Sequence, residues 1–114
     1  MDDDIDVLKI VGRVLTHEGY AVSTHADPRD ALAECEANPP DLIFTDLMLP
    51  RMDGETFIQR VRAAVAEPPP IIILSASGIR VEVAERQKVA ASLGKPFELN
   101  DIRDLATQMC GSRG

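Results

Sequence analysis

Asp41-Leu42-Ile43-Phe44-Thr45-Asp46-Leu47-Met48-Leu49-Pro50 is the segment on which the fold turns. Its stretch Leu42-Ile43-Phe44-Thr45 is too short and too continuously apolar for an amphipathic helix, and reads as a strand buried on both faces. Such a strand delivers Asp46 to its C-terminal end. Leu49-Pro50-Arg51-Met52-Asp53-Gly54 then reads as a loop, punctuated by proline and glycine. Phe57, Ile58, Val61 and Val65 follow at helical spacing, and Pro68-Pro69-Pro70 closes that helix. Ile71-Ile72-Ile73-Leu74 is a second unbroken aliphatic run, the composition expected of a central strand in a parallel sheet, and Ser75 stands at its end.

Working outward, Val7, Leu8, Val11, Val14 and Leu15 recur at spacings of three and four, one apolar helix face, and Gly19 ends that helix. Residues 20–24 form a short β-prone run. Asp27-Pro28 supplies an N-cap followed by proline at the first helical position, so a helix is predicted from there to about Ala37. On the C-terminal side, a weaker helix is expected within 81–88 and a small strand within 89–93. Ile102, Leu105, Ala106 and Met109 mark a final amphipathic helix. Strands alternating with helices imply a parallel sheet with right-handed crossovers, whose ligands bind beyond the carboxyl ends of the strands. Asp46, Ser75 and Lys95, the last standing before Pro96, each follow a strand, so a carboxylate, a hydroxyl and an ammonium converge on one edge.

Composition narrows the function classes. The 114 residues fit one domain, and 45% hydrophobic with 27% charged residues is enough apolar content for a core. Nineteen acidic against twelve basic residues give a net charge of −7, which argues against direct binding to nucleic acid or to an anionic membrane. No Trp and 4% aromatic residues leave an aliphatic core and no stacking platform. Cys35 and Cys110 read as ordinary thiols. The acidic start Met1-Asp2-Asp3-Asp4 is unlike a signal peptide, and no apolar run reaches the ~20 residues of a membrane span, so a cytoplasmic location is expected.

With these residues in place, the chain resembles the receiver domain of two-component response regulators. The resemblance is carried by the acidic run Asp2-Asp3-Asp4, by Gly19-Tyr20, by the segment 41–50 with Asp53-Gly54, by Ile73-Leu74-Ser75-Ala76, and by Lys95-Pro96-Phe97. It implies a single α/β domain over residues 1–114 with a doubly wound parallel sheet, the flavodoxin-like (CheY-like) receiver fold. It also implies a signalling module rather than an enzyme, with Asp46 as phosphoacceptor in a phosphorelay. Asp46 would take its phosphoryl group from a phosphohistidine of a sensor histidine kinase or phosphotransfer protein and signal to a downstream protein target by conformational change. The implied cofactor is Mg²⁺, a hard cation suited to oxygen ligands, on Asp2, Asp3, Asp46 and the backbone carbonyl of Met48. Lys95 would neutralise a phosphoryl oxygen, and Ser75 would donate a hydroxyl hydrogen bond to the acyl phosphate.

The sequence departs from that family in three places that carry structural expectations, one being an interval from Ser75 to Lys95 that is about two residues shorter than in common members and bears on the length of the fourth helix. Only Met1 precedes Asp2, where members have an apolar first strand lying centrally in the sheet, so that strand is truncated and a sheet of four strands is expected. The acidic pair should fray at its chain end, unless another segment or a second copy fills the gap, the latter as a homodimer by strand exchange. Ser92 stands three positions before Lys95, where the family often has an aromatic residue, so the usual aromatic switch cannot operate. The alternative function is a pseudo-receiver that is never phosphorylated and acts as a protein-interaction module. A haloacid dehalogenase-type phosphatase is disfavoured because Met48 stands where that class needs a second acid. With few residues after Met109, output is expected through surface contacts.

Overall fold

A computed structural model describes residues 1–49, 51–76, 78 and 80–110, without the side chain of Arg80. The element order is α1 (Ile5–His17), α2 (Pro28–Ala37), β1 (Ile43–Thr45), α3 (Gly54–Ala64), β2 (Ile71–Ser75), α4 (Arg80–Gln87), β3 (Ala91–Gly94) and α5 (Leu99–Cys110). The sequence predicts each of these within a few residues. Pro50, Ser77 and Ile79, which the sequence places in loops, lie outside the described residues.

Each strand is followed by a helix, and the strands pair in parallel in the order β1-β2-β3. Ile43 stands opposite Ile71, Ile73 opposite Ser92, and Ser75 opposite Gly94. β2 is buried along its whole length, and its side chains divide by parity, as a strand covered on both faces requires. Ile71 and Ile73 pack with Phe57, Ile58 and Val61 of α3 and with Ala31 and Cys35 of α2. Ile72 and Leu74 pack on the other face with Leu15 of α1 and with Ile102 and Ala106 of α5. Two aliphatic cores therefore clamp one central strand and fix where its C-terminal end lies.

Local chemistry sets the helix ends. The Asp4 carboxylate caps α1 by accepting from the Asp6 and Val7 amides, and Asp27 caps α2 ahead of Pro28, as the sequence implies. At the far end of α1, Gly19 adopts a left-handed φ of 94°. Its amide donates to the Thr16 carbonyl while the Tyr20 amide donates to that of Leu15, the paired bonds of a Schellman ending.

The expected four strands are three among the described residues, because residues 20–24 form no ladder. Their β-prone side chains have no neighbouring strand to pair with, and a strand without a partner leaves its backbone groups unpaired. The seat of the truncated strand is nevertheless filled at one end. The Met1 amino group donates to the Phe44 carbonyl at 2.7 Å, and the Asp46 amide donates to the Met1 carbonyl at 2.9 Å. On the opposite side the Asp2 amide donates to the His25 carbonyl at 3.2 Å. Met1 and Asp2 thus bridge β1 to the segment before α2. The expectation that the acidic pair frays is corrected for Asp2, which is 2% exposed and fixed, while Asp3 remains exposed.

Candidate functional site

The carboxyl ends of the strands gather Asp2, Asp3, Asp46 and Lys95. Asp46 follows β1 directly and is 6% exposed. Its Oδ1 accepts from the amides of Leu47 at 2.6 Å and Met48 at 3.2 Å, which fixes the carboxylate plane. Its Oδ2 accepts from Lys95 Nζ at 2.9 Å. The same ammonium donates to Asp2 Oδ2 at 2.6 Å, and Asp2 Oδ1 accepts from the Asp4 amide at 2.9 Å. One lysine therefore serves two buried carboxylates. Carboxylate oxygens of Asp2, Asp3 and Asp46 lie within 4.8 Å of one another.

The electrostatics follow from burial. Desolvation pushes the Asp2 carboxyl above the ordinary aspartate range, although the hydrogen bonds from Lys95 and from the Asp4 amide pull the other way. Burial works against the Lys95 ammonium, but its bonds to Asp2 and Asp46 prevail and raise its pKa above that of a free lysine. The ammonium is thereby held charged, yet the charge on Asp2 is still disfavoured. Three hard oxygen donors around an under-compensated negative charge suit a divalent cation of the Mg²⁺ type. The residues present fit the ion that the sequence implies.

Ser75 ends β2, is fully buried, and its carbonyl accepts from the Lys95 amide at 3.1 Å, so the two residues are tied through adjacent strands. The Lys95–Pro96 peptide bond is cis. Met48 is 64% exposed.

Two residues at the site carry roles that the sequence does not reveal by pattern. Thr45 is fully buried and donates its hydroxyl to the Asp46 carbonyl at 3.0 Å. Gly54, the first residue of α3, donates its amide to the Leu47 carbonyl at 2.8 Å. A Cβ at Gly54 would lie 2.7 Å from the Asp46 carbonyl oxygen and closer still to Leu47 Cα. Only glycine lets the helix start press against the acceptor backbone. The Asp53-Gly54 pair is visible in the sequence, but the reason for the glycine is a contact made through space.

Comparison with known proteins agrees with this architecture. A family model described as response regulator receiver domain matches residues 1–107. The transcriptional regulatory protein PrrA of Mycobacterium tuberculosis is 33% identical over 103 residues, covering 90% of this chain and 44% of the relative. The chain thus spans less than half the length of that relative. The sporulation initiation phosphotransferase F of Bacillus subtilis is 29% identical over 106 residues, covering 91% of this chain and 85% of its own. Among solved structures, the receiver domain of NtrX from Brucella abortus superposes with a TM-score of 0.85 at 27% identity, covering 95% and 92% of the two chains. The Vibrio cholerae chemotaxis protein CheY4 gives 0.84 at 29% identity, again over 95% and 92%. The doubly wound receiver fold and the two-component signalling context follow from these matches together with the acidic edge of the sheet, and this chain belongs to the response regulator receiver domain family.

Proposed function

We propose that this chain is a phosphoacceptor receiver domain, with Asp46 as the residue that takes a phosphoryl group from a phosphohistidine. The observation that carries the reading is the state of the Asp46 carboxylate. It is buried, one oxygen is locked by two backbone amides, and the other faces the Lys95 ammonium. Oδ2 is thereby the nucleophile: it forms the bond to phosphorus as the phosphorus–nitrogen bond of the donor breaks. The imidazole nitrogen leaves with the electron pair and is protonated from solvent. Both reactants are anionic, so charge cancellation and positioning dominate the chemistry. Mg²⁺, held by Asp2, Asp3, Asp46 and the Met48 carbonyl, would supply part of that cancellation. Lys95 supplies the rest at a phosphoryl oxygen, and the Ser75 hydroxyl donates to the product.

On this reading residues 1–114 form one receiver domain of a signalling protein rather than an enzyme. Its partners are a sensor histidine kinase or phosphotransfer protein and a downstream protein target, and it works in the cytoplasm. No helix of the described residues is long and apolar enough to cross a membrane. Pairing of two copies through the incomplete seat beside β1 would give a homodimer by strand exchange. Ser92 on β3 is too small for an aromatic switch, so a phosphorylation signal would travel through Ser75 and the loop after it.

The test is labelling of the purified chain with a small-molecule phosphodonor, with and without Mg²⁺. Metal-dependent, base-labile and acid-stable phosphorylation that disappears in Asp46→Asn supports the reading. Label that persists in Asp46→Asn refutes Asp46, and no label in the wild-type chain supports the pseudo-receiver alternative.

A further inference from the structure

The loop that joins Asp46 to α3 is tied from outside by an ion pair that the phosphoacceptor chemistry does not use. Asp27, the N-cap of α2, accepts from the Arg29 amide at 2.9 Å and from the Arg29 guanidinium, and its Oδ2 accepts from Arg51 Nη1 at 2.6 Å. Arg51 lies between Asp46 and Asp53 in the acceptor loop and has a φ of 65°. A residue that carries a Cβ is uncommon in that left-handed region, which surrounding contacts help to hold. Here the contact that holds it reaches across from another helix, 24 residues away in sequence. Arg51 and Arg29 line a surface groove together with Leu47, Met48 and Asp53.

We infer that Asp27 and Arg51 are positioning residues for the metal site: their ion pair clamps the acceptor loop so that the Asp46 carboxylate and the Met48 carbonyl are presented together to a divalent cation. This rests on the phosphoacceptor reading given above. The outer contacts that orient metal ligands set affinity as well as the ligands themselves do. Asp27 is suited to the task because the helix start it caps and the Arg29 guanidinium already hold its carboxylate in place, well below the usual carboxylate range at about 2. It is charged at every pH at which the domain would work.

The test is Mg²⁺ binding by calorimetry or amide chemical shifts, on the wild-type chain and on Asp27→Asn, Arg51→Gly and Arg29→Ala. Asparagine keeps the N-cap, and glycine accepts the left-handed backbone, so neither change removes local structure. A clamp requires both Asp27→Asn and Arg51→Gly to weaken Mg²⁺ binding, by about threefold to tenfold. Arg29→Ala, which keeps the Asp27–Arg51 bond and the N-cap, should weaken it less than either. Plain electrostatics gives a different signature: loss of a positive charge at Arg51 tightens cation binding, while loss of a negative charge at Asp27 weakens it. Opposite signs, or wild-type affinity in both variants, would overturn the clamp. Absence of Mg²⁺ binding in the wild-type chain would remove the metal reading itself, and the clamp with it.

Discussion

Gly54→Ala sets helix propensity against steric fit at the acceptor. Alanine in place of glycine in a helix interior gains up to about 1 kcal/mol, and less in the first turn. Against this, the new methyl would lie 2.7 Å from the Asp46 carbonyl oxygen and nearer to Leu47 Cα, both backbone atoms that cannot swing aside. Overpacking of this kind costs roughly 1 to 3 kcal/mol. Moving α3 away to relieve it breaks the 2.8 Å bond from the Gly54 amide to the Leu47 carbonyl, a further loss of about 1 kcal/mol. The steric side prevails, with a net loss of about 1 to 3 kcal/mol, or on the order of 4 to 12 °C in Tm for a domain of this size. Any relief displaces Leu47, whose amide fixes Asp46 Oδ1 at 2.6 Å, so phosphodonor labelling should fall along with stability. Thermal unfolding followed by circular dichroism, with labelling at a temperature where the variant is folded, measures both. An unchanged or raised Tm would show that the loop absorbs a Cβ without cost and that the glycine has no steric role.

Asp2 and Lys95 give predictions with opposite dependence on pH. The folded pKa of Asp2 lies above the ordinary value of 3.8, so the folded state binds more protons, and the contribution of Asp2 to stability falls as pH rises from about 4 through its folded pKa. Asp2→Asn should therefore flatten the decline in stability above pH 4 expected of the wild-type chain, and an unchanged slope in urea titrations across that range would refute the assignment. The acid limb should be unaffected by this substitution, because it belongs to Asp27 and Glu55, both held at about 2, whose stabilisation is lost as pH falls from the ordinary carboxylate range through those values. Lys95→Met leaves two buried carboxylates without their shared cation and should cost a few kcal/mol at pH 7, as removal of one partner of a buried pair does. The loss should be smaller at acid pH, where protonation of Asp2 removes one of the two charges; equal losses at acid and neutral pH would refute the shared-cation description. Ser75→Ala should leave Asp46 labelling largely intact while removing any phosphorylation-dependent change in partner affinity, measured by titration of a partner with both forms.

The parts of the fold that the sequence reveals are those set by neighbours along the chain. The aliphatic run of β2, the Asp27-Pro28 start of α2 and the apolar face of α1 are each stated by local pattern, and each forms. Residues 20–24 have the composition of a strand and do not form one, because a ladder needs a partner from a distant segment, which local pattern does not report. The site divides the same way. Asp46, Ser75 and Lys95 are legible as polar residues at strand ends. The burial of Asp2, the closeness of Gly54 to Leu47 and the Asp27–Arg51 pair join residues far apart in sequence, and no periodicity announces them.

The fixed position of Asp2 shows how little of a strand is needed to place a ligand. Two backbone hydrogen bonds hold Met1 and Asp2, one on the β1 side and one on the His25 side, and the Met1 amino group adds a third to the Phe44 carbonyl. A ladder bond contributes about 1 kcal/mol net, too little to build a sheet but enough to choose one register. Register is what the site requires, since a shift by one residue would turn the Asp2 side chain to the opposite face and away from Lys95. The Lys95–Asp2 contact closes the arrangement, the ammonium meeting Asp46 and Asp2 together in the register that sets Met1 opposite Thr45. Sheet stability and site geometry are therefore separable in this chain. The sheet of the described residues has three strands, and Met1 and Asp2 bring the acid to the edge where Asp46 and Lys95 stand.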